Sequence, residues 1–278
     1  MTRTGNPMDE QKIAEMAAVM RRKILDVSHS CNMSAHLGGG LSMVEITATL
    51  YGSVLNFDAK NPTWPDRDRF ILSKGHGVLG YFSALCAAGV FSDEKFATFQ
   101  SNESDLIAHP VMKLELGIES SNGSLGQGLS MAVGMAVAAK KLGKSHRVYV
   151  LVGDGECNEG SVWEAAMSAA HFKLDNLTAI VDYNQLQSDG AGATIMSPGD
   201  MASKWEAFGW KTCRVDGHSI PELLNAFNHT PNPEQPKVLV ARTVKGKGVP
   251  FMENNNEWHH NRLTKVHYER ALLEMGAV

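Results

Sequence analysis

The stretch LVGDGECNEG, residues 151–160, places an acidic side chain between two glycines directly after an apolar run. Glycines at the end of a strand let a ligand approach the backbone, and the following helix offers free N–H groups. The carboxylate of Asp154 would repel a bare phosphate, so a simple phosphate-binding loop does not fit. Magnesium takes carboxylate oxygens together with phosphate oxygens and water. Asp154 is therefore predicted to bind a metal ion that in turn binds a diphosphate.

A second metal ligand is predicted one strand–helix–strand unit further along the chain, at Asn184 in LTAIVDYNQLQ. A neutral amide suits this position because a diphosphate already brings excess negative charge to the metal. The backbone carbonyl of Leu186 could add a third oxygen. Asp154 or Asn184 alone would be an ordinary turn residue. Their combination at this spacing favours a metal site.

The composition narrows the possible partners. The chain has 278 residues, a formal net charge of -4 and a pI near 6.3, so it has no broad basic field for nucleic acid or an anionic membrane. Its four cysteines lie far apart without a CxxC pair, which predicts neither a zinc site nor a disulfide framework. No signal peptide or membrane span is indicated. The expected location is the reducing cytoplasm.

Strands and helices alternate along the chain. Apolar runs rich in β-branched residues predict buried strands at 69–73, 147–153, 177–184, 211–217 and 237–244. Apolar spacing and helix-start patterns predict helices near 9–30, from Met43, and near 77–88, 125–142, 158–171 and 219–229. Two capping boxes, Ser42 with Glu45 and Ser219 with Glu222, mark helix starts, the first after a glycine-rich loop. The prediction is an α/β fold with a doubly wound, mainly parallel sheet flanked by helices, in one domain over 1–278.

GDGECNEG followed by DYN resembles the thiamine-diphosphate motif, and the flanking sequence resembles the amino-terminal half of transketolases. The matching stretches run along almost the whole chain. They are SAHLGGGLS at 34–42, RFILSKGHG at 69–77, HP at 109–110, NGSLGQGLSMAVGMA at 122–136, GDGECNEGSVWEA at 153–165, KLDNLTAIVDYNQLQSDG at 173–190, EAFGW, VDGHS, TVKGKG and WHH.

The resemblance implies a thiamine-diphosphate-binding fold, specifically its diphosphate-binding domain, with thiamine diphosphate and Mg²⁺ as cofactors. Ca²⁺ or Mn²⁺ could replace the magnesium. Asp154, Asn184 and the Leu186 carbonyl would hold the metal, with Asn184 counted also among the cofactor-binding residues. His76 and the backbone of Gly155 would contact the diphosphate.

The resemblance also assigns residues around the rest of the cofactor. Gly123 and Leu125 would lie against the aminopyrimidine ring, and Gly153 belongs to the same cofactor-binding set. Glu156, which is next to the metal motif, is a weaker candidate for contact with the cofactor. Glu159 is also implied to be catalytic, because it matches a family glutamate that faces the subunit interface near the catalytic glutamate of the other half.

Three histidines are implied to be catalytic. His36, His109 and His259 would line the substrate channel, where an imidazole can accept and return a proton as a carbon–carbon bond breaks and forms. His259 would also contact the cofactor. The family commonly has glycine where this chain has His260, which leaves open whether His259 or His260 faces the cofactor. Lys74 and Lys245 match basic family positions near the cofactor.

The implied activity is that of the amino-terminal subunit of a split transketolase, which transfers a two-carbon ketol unit from a ketose phosphate to an aldose. The pyrimidine-binding and carboxy-terminal domains are expected on a partner chain that also carries the catalytic glutamate, in an α2β2 heterotetramer. Two other thiamine enzymes remain alternatives, the α subunit of a 2-oxo-acid dehydrogenase or a 1-deoxyxylulose-5-phosphate synthase-like half. The third alternative is a non-catalytic thiamine-diphosphate-binding protein. The sequence does not specify the sugar.

Overall fold

A computed structural model describes residues 7–229 and 232–276. Its main sheet has five strands in the order β2-β3-β4-β6-β5, and every neighbouring pair is parallel. A separate antiparallel ladder joins β1 to β7. The strands are β1 Ser34–Ala35, β2 Arg69–Leu72, β3 Val148–Gly153, β4 Leu177–Tyr183, β5 Lys211–Asp216, β6 Lys237–Arg242 and β7 Asn261–Arg262.

Helices cover both faces of the main sheet. They are α1 Glu10–Ser30, α2 Leu37–Leu41, α3 Val44–Thr49, α4 Val78–Ala87, α5 Asp93–Phe96, α6 Gln127–Lys141, α7 Gly160–His171, α8 Gly192–Ile195, α9 Met201–Ala207, α10 Ile220–Asn228 and α11 Lys265–Glu274, with a π-helix at Leu50–Val54. Across the described ranges, none of these helices combines the length and apolarity that a membrane crossing requires.

Two cores lie on opposite faces of the sheet because side chains alternate along a strand. In β3, Tyr149 and Leu151 pack into the core formed with α1, α3, α4 and α10. Val148, Val150 and Val152 pack into the core formed with α6, α7 and α9. Strands buried on both faces explain the nearly continuous apolar runs of β3, β4 and β6. The prediction of a buried strand at 211–217 is wrong in this respect, because β5 lies at the edge of the sheet and none of its residues is fully buried. The predicted doubly wound α/β fold is confirmed.

The helix predicted to begin near Met43 is present as α3, but its predicted Ser42 cap is wrong. Residues 37–41 form the short helix α2 where a loop was predicted, and Ser42 ends that helix. The Ser42 hydroxyl donates to the Gly39 carbonyl and to Asp182, so α3 begins after Met43 without a side-chain cap. Tertiary contacts outweigh the local pattern because a buried hydroxyl needs a partner. At the second predicted box, Ser219 does cap α10 by accepting the Glu222 N–H.

Candidate active site

The carboxyl ends of β3 and β4 are adjacent because the two strands pair in parallel register, with Gly153 opposite Asp182. Asp154 follows β3 directly, and Asn184 follows β4. The Asp154 carboxylate accepts the N–H groups of Gly155 and Gln185, and the Asn184 side-chain oxygen accepts the N–H of Leu186. The two side chains predicted as metal ligands therefore belong to neighbouring strand ends, as open parallel sheets place their ligand sites.

A cavity of about 330 Å³ opens at these strand ends. Its wall includes every predicted cofactor-binding, metal-binding or catalytic residue except Glu159. The lining residues are His36, Gly39, Lys74, His76, His109, Gly123, Leu125, Gly153, Asp154, Gly155, Glu156, Asn184, Leu186, Gln187, Ser188, Lys245 and His259.

The donor set at the cavity floor fits a divalent cation that a ligand helps to hold. Burial raises the pKa of the Asp154 carboxyl to about 6, and the nearby carboxylate of Asp182 adds to the shift. A cation beside Asp154 would oppose both effects. The described part of the chain contains no group of three His, Cys, Asp or Glu side chains arranged to hold a metal. One carboxylate, one amide and one carbonyl would need phosphate oxygens to complete an octahedral shell.

A buried ion pair lies directly beneath this floor. The Lys74 ammonium contacts the Asp182 carboxylate, and the two residues are 1% and 0% exposed. Asp182 also accepts the hydroxyls of Ser42 and Thr243, while Lys74 donates to the Gly39 carbonyl at 2.7 Å. Because the Lys74 ammonium and these two hydroxyls surround it, the pKa of Asp182 is lowered despite complete burial.

A second buried carboxylate supports the glycine turn. Glu156 accepts the N–H groups of Gly153 and Gly126 at 2.9 Å each and the hydroxyl of Ser73. Burial raises the pKa of Glu156, and these hydrogen bonds oppose the rise. All three bonds are internal to the chain, so the side chain fixes the backbone around Asp154 and the entrance to α6. The structure thus gives Glu156 a supporting position.

Four histidine rings line the cavity, and the ring of His260 lies beside that of His36. The His36 ring lies 5.4 to 5.7 Å from the rings of His259, His76 and His109, and 4.4 Å from that of His260. Burial, together with the neighbouring imidazoles, lowers the pKa of His36 to about 3. Burial and the ammonium groups of Lys245 and Lys74 lower the pKa of His259 to about 4. The rings of His36 and His259 are therefore neutral at pH 7, and each offers one donor and one acceptor nitrogen.

The inner wall has the features of a site that receives a ligand. The Nδ1 atom of His259 is buried and has no hydrogen-bond partner within the described ranges. A Cβ atom at Gly39 would approach the His76 ring to 3.1 Å, so glycine keeps that ring accessible. A Cβ atom at Gly123 would lie 3.7 Å from its nearest neighbour, an atom of the His109 ring, which leaves this backbone open toward the cavity.

Glu159 lies outside the cavity. It is exposed on the surface at the start of α7, beside Gly126. Its predicted catalytic role depends on a partner surface, and it stays a prediction. His260 is also exposed and lies outside the cavity wall.

Asp182 and its hydroxyl partners were not predicted from the sequence. One signal was present, because Asp182 interrupts the apolar run LTAIVDY, and a charge in a strand buried on both faces must be paired. The partners themselves, Ser42, Lys74 and Thr243, lie 61 to 140 positions away along the chain. No local pattern connects them.

A doubly wound parallel sheet with an acidic glycine turn on one strand end and an asparagine on the next defines a cofactor-binding α/β domain of the thiamine diphosphate class. Residues 13–276 match the family described as transketolase, thiamine diphosphate binding domain. The chain therefore belongs to the transketolase family.

Relatives cover the chain almost end to end. It is 41% identical over 264 residues to an apulose-4-phosphate transketolase subunit of Actinobacillus succinogenes, covering 95% of this chain and 96% of that protein. It is 38% identical over 271 residues to 6-deoxy-6-sulfo-D-fructose transketolase subunit SqwG of a Clostridium species, covering 96% and 98%. It is also 41% identical to human transketolase, covering 87% of this chain and 38% of the human protein.

The fold likewise matches solved transketolases. The crystal structure from Campylobacter jejuni superposes with a TM-score of 0.89 at 30% identity, covering 97% of this chain and 43% of that one. The structure from Leishmania mexicana superposes with the same TM-score at 27% identity, covering 95% and 41%. This chain thus spans less than half the length of these solved proteins.

Replacing one partner of the buried ion pair should destabilise the fold strongly. Lys74→Met leaves the Asp182 carboxylate buried without its cation, and we expect the free energy of unfolding to fall by about 3–5 kcal/mol. The double variant Lys74→Met/Asp182→Asn should lose less, because an amide oxygen can still accept the hydroxyls. Urea unfolding followed by circular dichroism measures both. The single variant Asp182→Asn is measured in the same way. If the double variant loses as much stability as Lys74→Met and Asp182→Asn lose together, the two side chains are not paired.

The histidine cluster should make stability depend on pH. Since the pKa values of His36 and His259 lie below the unfolded value near 6.5, the unfolded chain binds more protons between about pH 6.5 and 3. The free energy of unfolding should therefore fall as the pH drops through this window. His36→Asn should make the fall shallower, whereas His171→Asn, at an exposed position on α7, should not. Equal slopes for the wild type and His36→Asn would refute this expectation.

Proposed function

We propose that this chain is the amino-terminal, cofactor-binding subunit of a two-chain transketolase, whose assembled form transfers a two-carbon ketol unit from a ketose phosphate to an aldose. One observation carries the proposal. His36, His109 and His259 line the same cavity as Asp154 and Asn184 at the strand ends. The named relatives act on different sugars, so the proposal extends to the substrate class and not to one sugar.

The same cavity supports a role for Mg²⁺ beside thiamine diphosphate. The Asp154 carboxylate, the Asn184 amide oxygen and the Leu186 carbonyl would hold the metal. Lys245 fixes the backbone at Leu186, because its buried ammonium donates to the carbonyls of Leu186 and Gln187 at 3.4 and 3.0 Å. When bound, thiamine diphosphate supplies the nucleophilic carbon and the electron sink of the reaction.

The chain's own contribution to the chemistry is to orient the sugar and move its proton. A neutral imidazole can donate a hydrogen bond through one nitrogen and accept one through the other. His36 and His109 line the cavity, so their rings would bind hydroxyls of the sugar. His259, whose buried Nδ1 lacks a partner among the described residues, would take or return the proton.

The proposal includes a partner chain that carries the pyrimidine-binding domain and the catalytic glutamate, in an α2β2 assembly. Two relatives that this chain matches over nearly their whole length are named as subunits. Exposed apolar side chains beside the cavity and along α6 and α7 offer a surface for such a partner, among them Leu125, Met131 and Met167. Glu159 lies on the same side, at the start of α7.

The proposal also places the assembled enzyme in the cytoplasm. All four cysteines are free thiols, with Cys86 and Cys157 buried. Such cysteine usage is typical of proteins in a reducing compartment.

Reconstitution tests the proposed activity. The chain combined with its partner, thiamine diphosphate and Mg²⁺ should transfer a two-carbon unit from D-fructose 6-phosphate or D-xylulose 5-phosphate to D-ribose 5-phosphate, and the chain alone should not. The assay follows the product sugar phosphates by mass spectrometry. Turnover of pyruvate alone, without ketol transfer, would refute the proposal and favour the other thiamine enzymes.

Asp154→Ala should remove the metal-dependent part of cofactor binding. Loss of a residue that supports a metal ligand typically costs roughly 10- to 100-fold in affinity. We expect a larger loss here, measured as the affinity of the assembled complex for thiamine diphosphate in the presence of Mg²⁺. Calorimetric titration with Mg²⁺ and with EDTA measures this. Asp66→Ala is the matched control, because Asp66 pairs with Lys144 at the surface. Unchanged Mg²⁺-dependent binding by Asp154→Ala would overturn the metal assignment.

A further inference from the structure

His260 differs from the other four histidines of the cluster in its exposure. His36, His76, His109 and His259 are partly buried, whereas His260 is exposed on their solvent side. It does not line the cavity at the strand ends. A ligand that fills the cavity and extends outward over His36 would meet this ring next.

The position of His260 follows from backbone pairing. In the short antiparallel ladder, Ser34 pairs with Arg262 and Ala35 with Asn261. Continuing this register by one residue places His36 opposite His260. Directly opposed residues have Cβ atoms about 4.5–5.5 Å apart. The two ring centroids are 4.4 Å apart with a tilt of 44°, which agrees with such a cross-strand pair.

Contacts on both sides hold the ladder in place. The Gln100 side chain donates to the Ser34 carbonyl at 3.2 Å, and Arg262 contacts the side chain of Asn32. On the other strand, Trp258 is buried two residues before His260. The ring of His260 therefore stands on a fixed backbone beside His36 and does not depend on a free loop for its placement.

We propose that His260 is a specificity-determining residue that contacts the outer hydroxyl groups of the sugar substrate. This inference rests on the function proposed above. The cofactor diphosphate belongs at the Asp154 end of the cavity, so the sugar lies toward His36 and its far hydroxyls reach the His260 side. An exposed imidazole can donate to one hydroxyl and accept from another. Sugars that differ at these hydroxyls would be distinguished there.

Variants of His260 in the reconstituted complex test the inference. His260→Gly removes the ring and introduces the residue common at this position in the family. We expect the KM for D-ribose 5-phosphate as acceptor to rise by about 3- to 10-fold, the range for one lost hydrogen bond, with kcat within about twofold. The KM for glycolaldehyde should change by less than about twofold, because this two-carbon acceptor lacks the outer hydroxyls. His260→Gln should recover part of the lost affinity.

Two controls separate a contact from a structural effect. His171→Gly, at an exposed site on α7, should leave both KM values unchanged. The affinity for thiamine diphosphate should be the same in the wild type and in His260→Gly. Three results for His260→Gly would each overturn the inference. They are an equal rise in both acceptor KM values, a matching loss of cofactor affinity, and unchanged KM values. A wild-type complex that transfers no ketol unit would instead refute the proposed function, and this inference with it.

Discussion

The candidate site depends on the buried ion pair between Lys74 and Asp182. A carboxylate at the centre of a parallel sheet is costly unless a cation and hydrogen-bond donors surround it. Here the donors come from Ser42 at the end of α2, Lys74 after β2 and Thr243 after β6. The contacts that stabilise the Asp182 carboxylate therefore hold four chain segments together at the cavity. These segments also carry His36, His76, Asn184 and Lys245. The Asn184 amide donates directly to Asp182 at 3.4 Å, so the ion pair helps to position a predicted metal ligand.

A second constraint is the parallel sheet itself. Parallel strands end at one edge, and every loop that follows a strand begins there. Glu156 strengthens this arrangement, because its three hydrogen bonds connect the turn after β3 to the segment after β2 and to the start of α6. A flexible turn would leave the Asp154 carboxylate without a defined direction. The buried glutamate provides that direction through its hydrogen bonds to the backbone.

Much of the fold could be predicted from local patterns. The five strands of the main sheet follow the apolar runs closely, and Ser219 caps its helix as its sequence suggests. The pattern failed at Ser42, where an equally good capping box gave way to a hydrogen bond with Asp182. The difference is burial, because Ser219 begins a helix near the surface while Ser42 lies in the core. A local preference of about 1 kcal/mol yields where a buried charge needs a donor.

The sequence by itself determined the strands of the main sheet, most of the longer helices, and the presence of an acidic turn and an asparagine at successive strand ends. It did not predict α9, which lies between β4 and β5. These features depend on side-chain periodicity and turn chemistry, which involve residues only a few positions apart. Tertiary structure alone decided that Lys74 neutralises Asp182, that Glu156 supports the turn from below, and that a two-residue ladder sets His260 against His36. Such pairings depend on which surfaces pack together. Their partners are separated along the chain by whole helices and strands, so no local spacing encodes them.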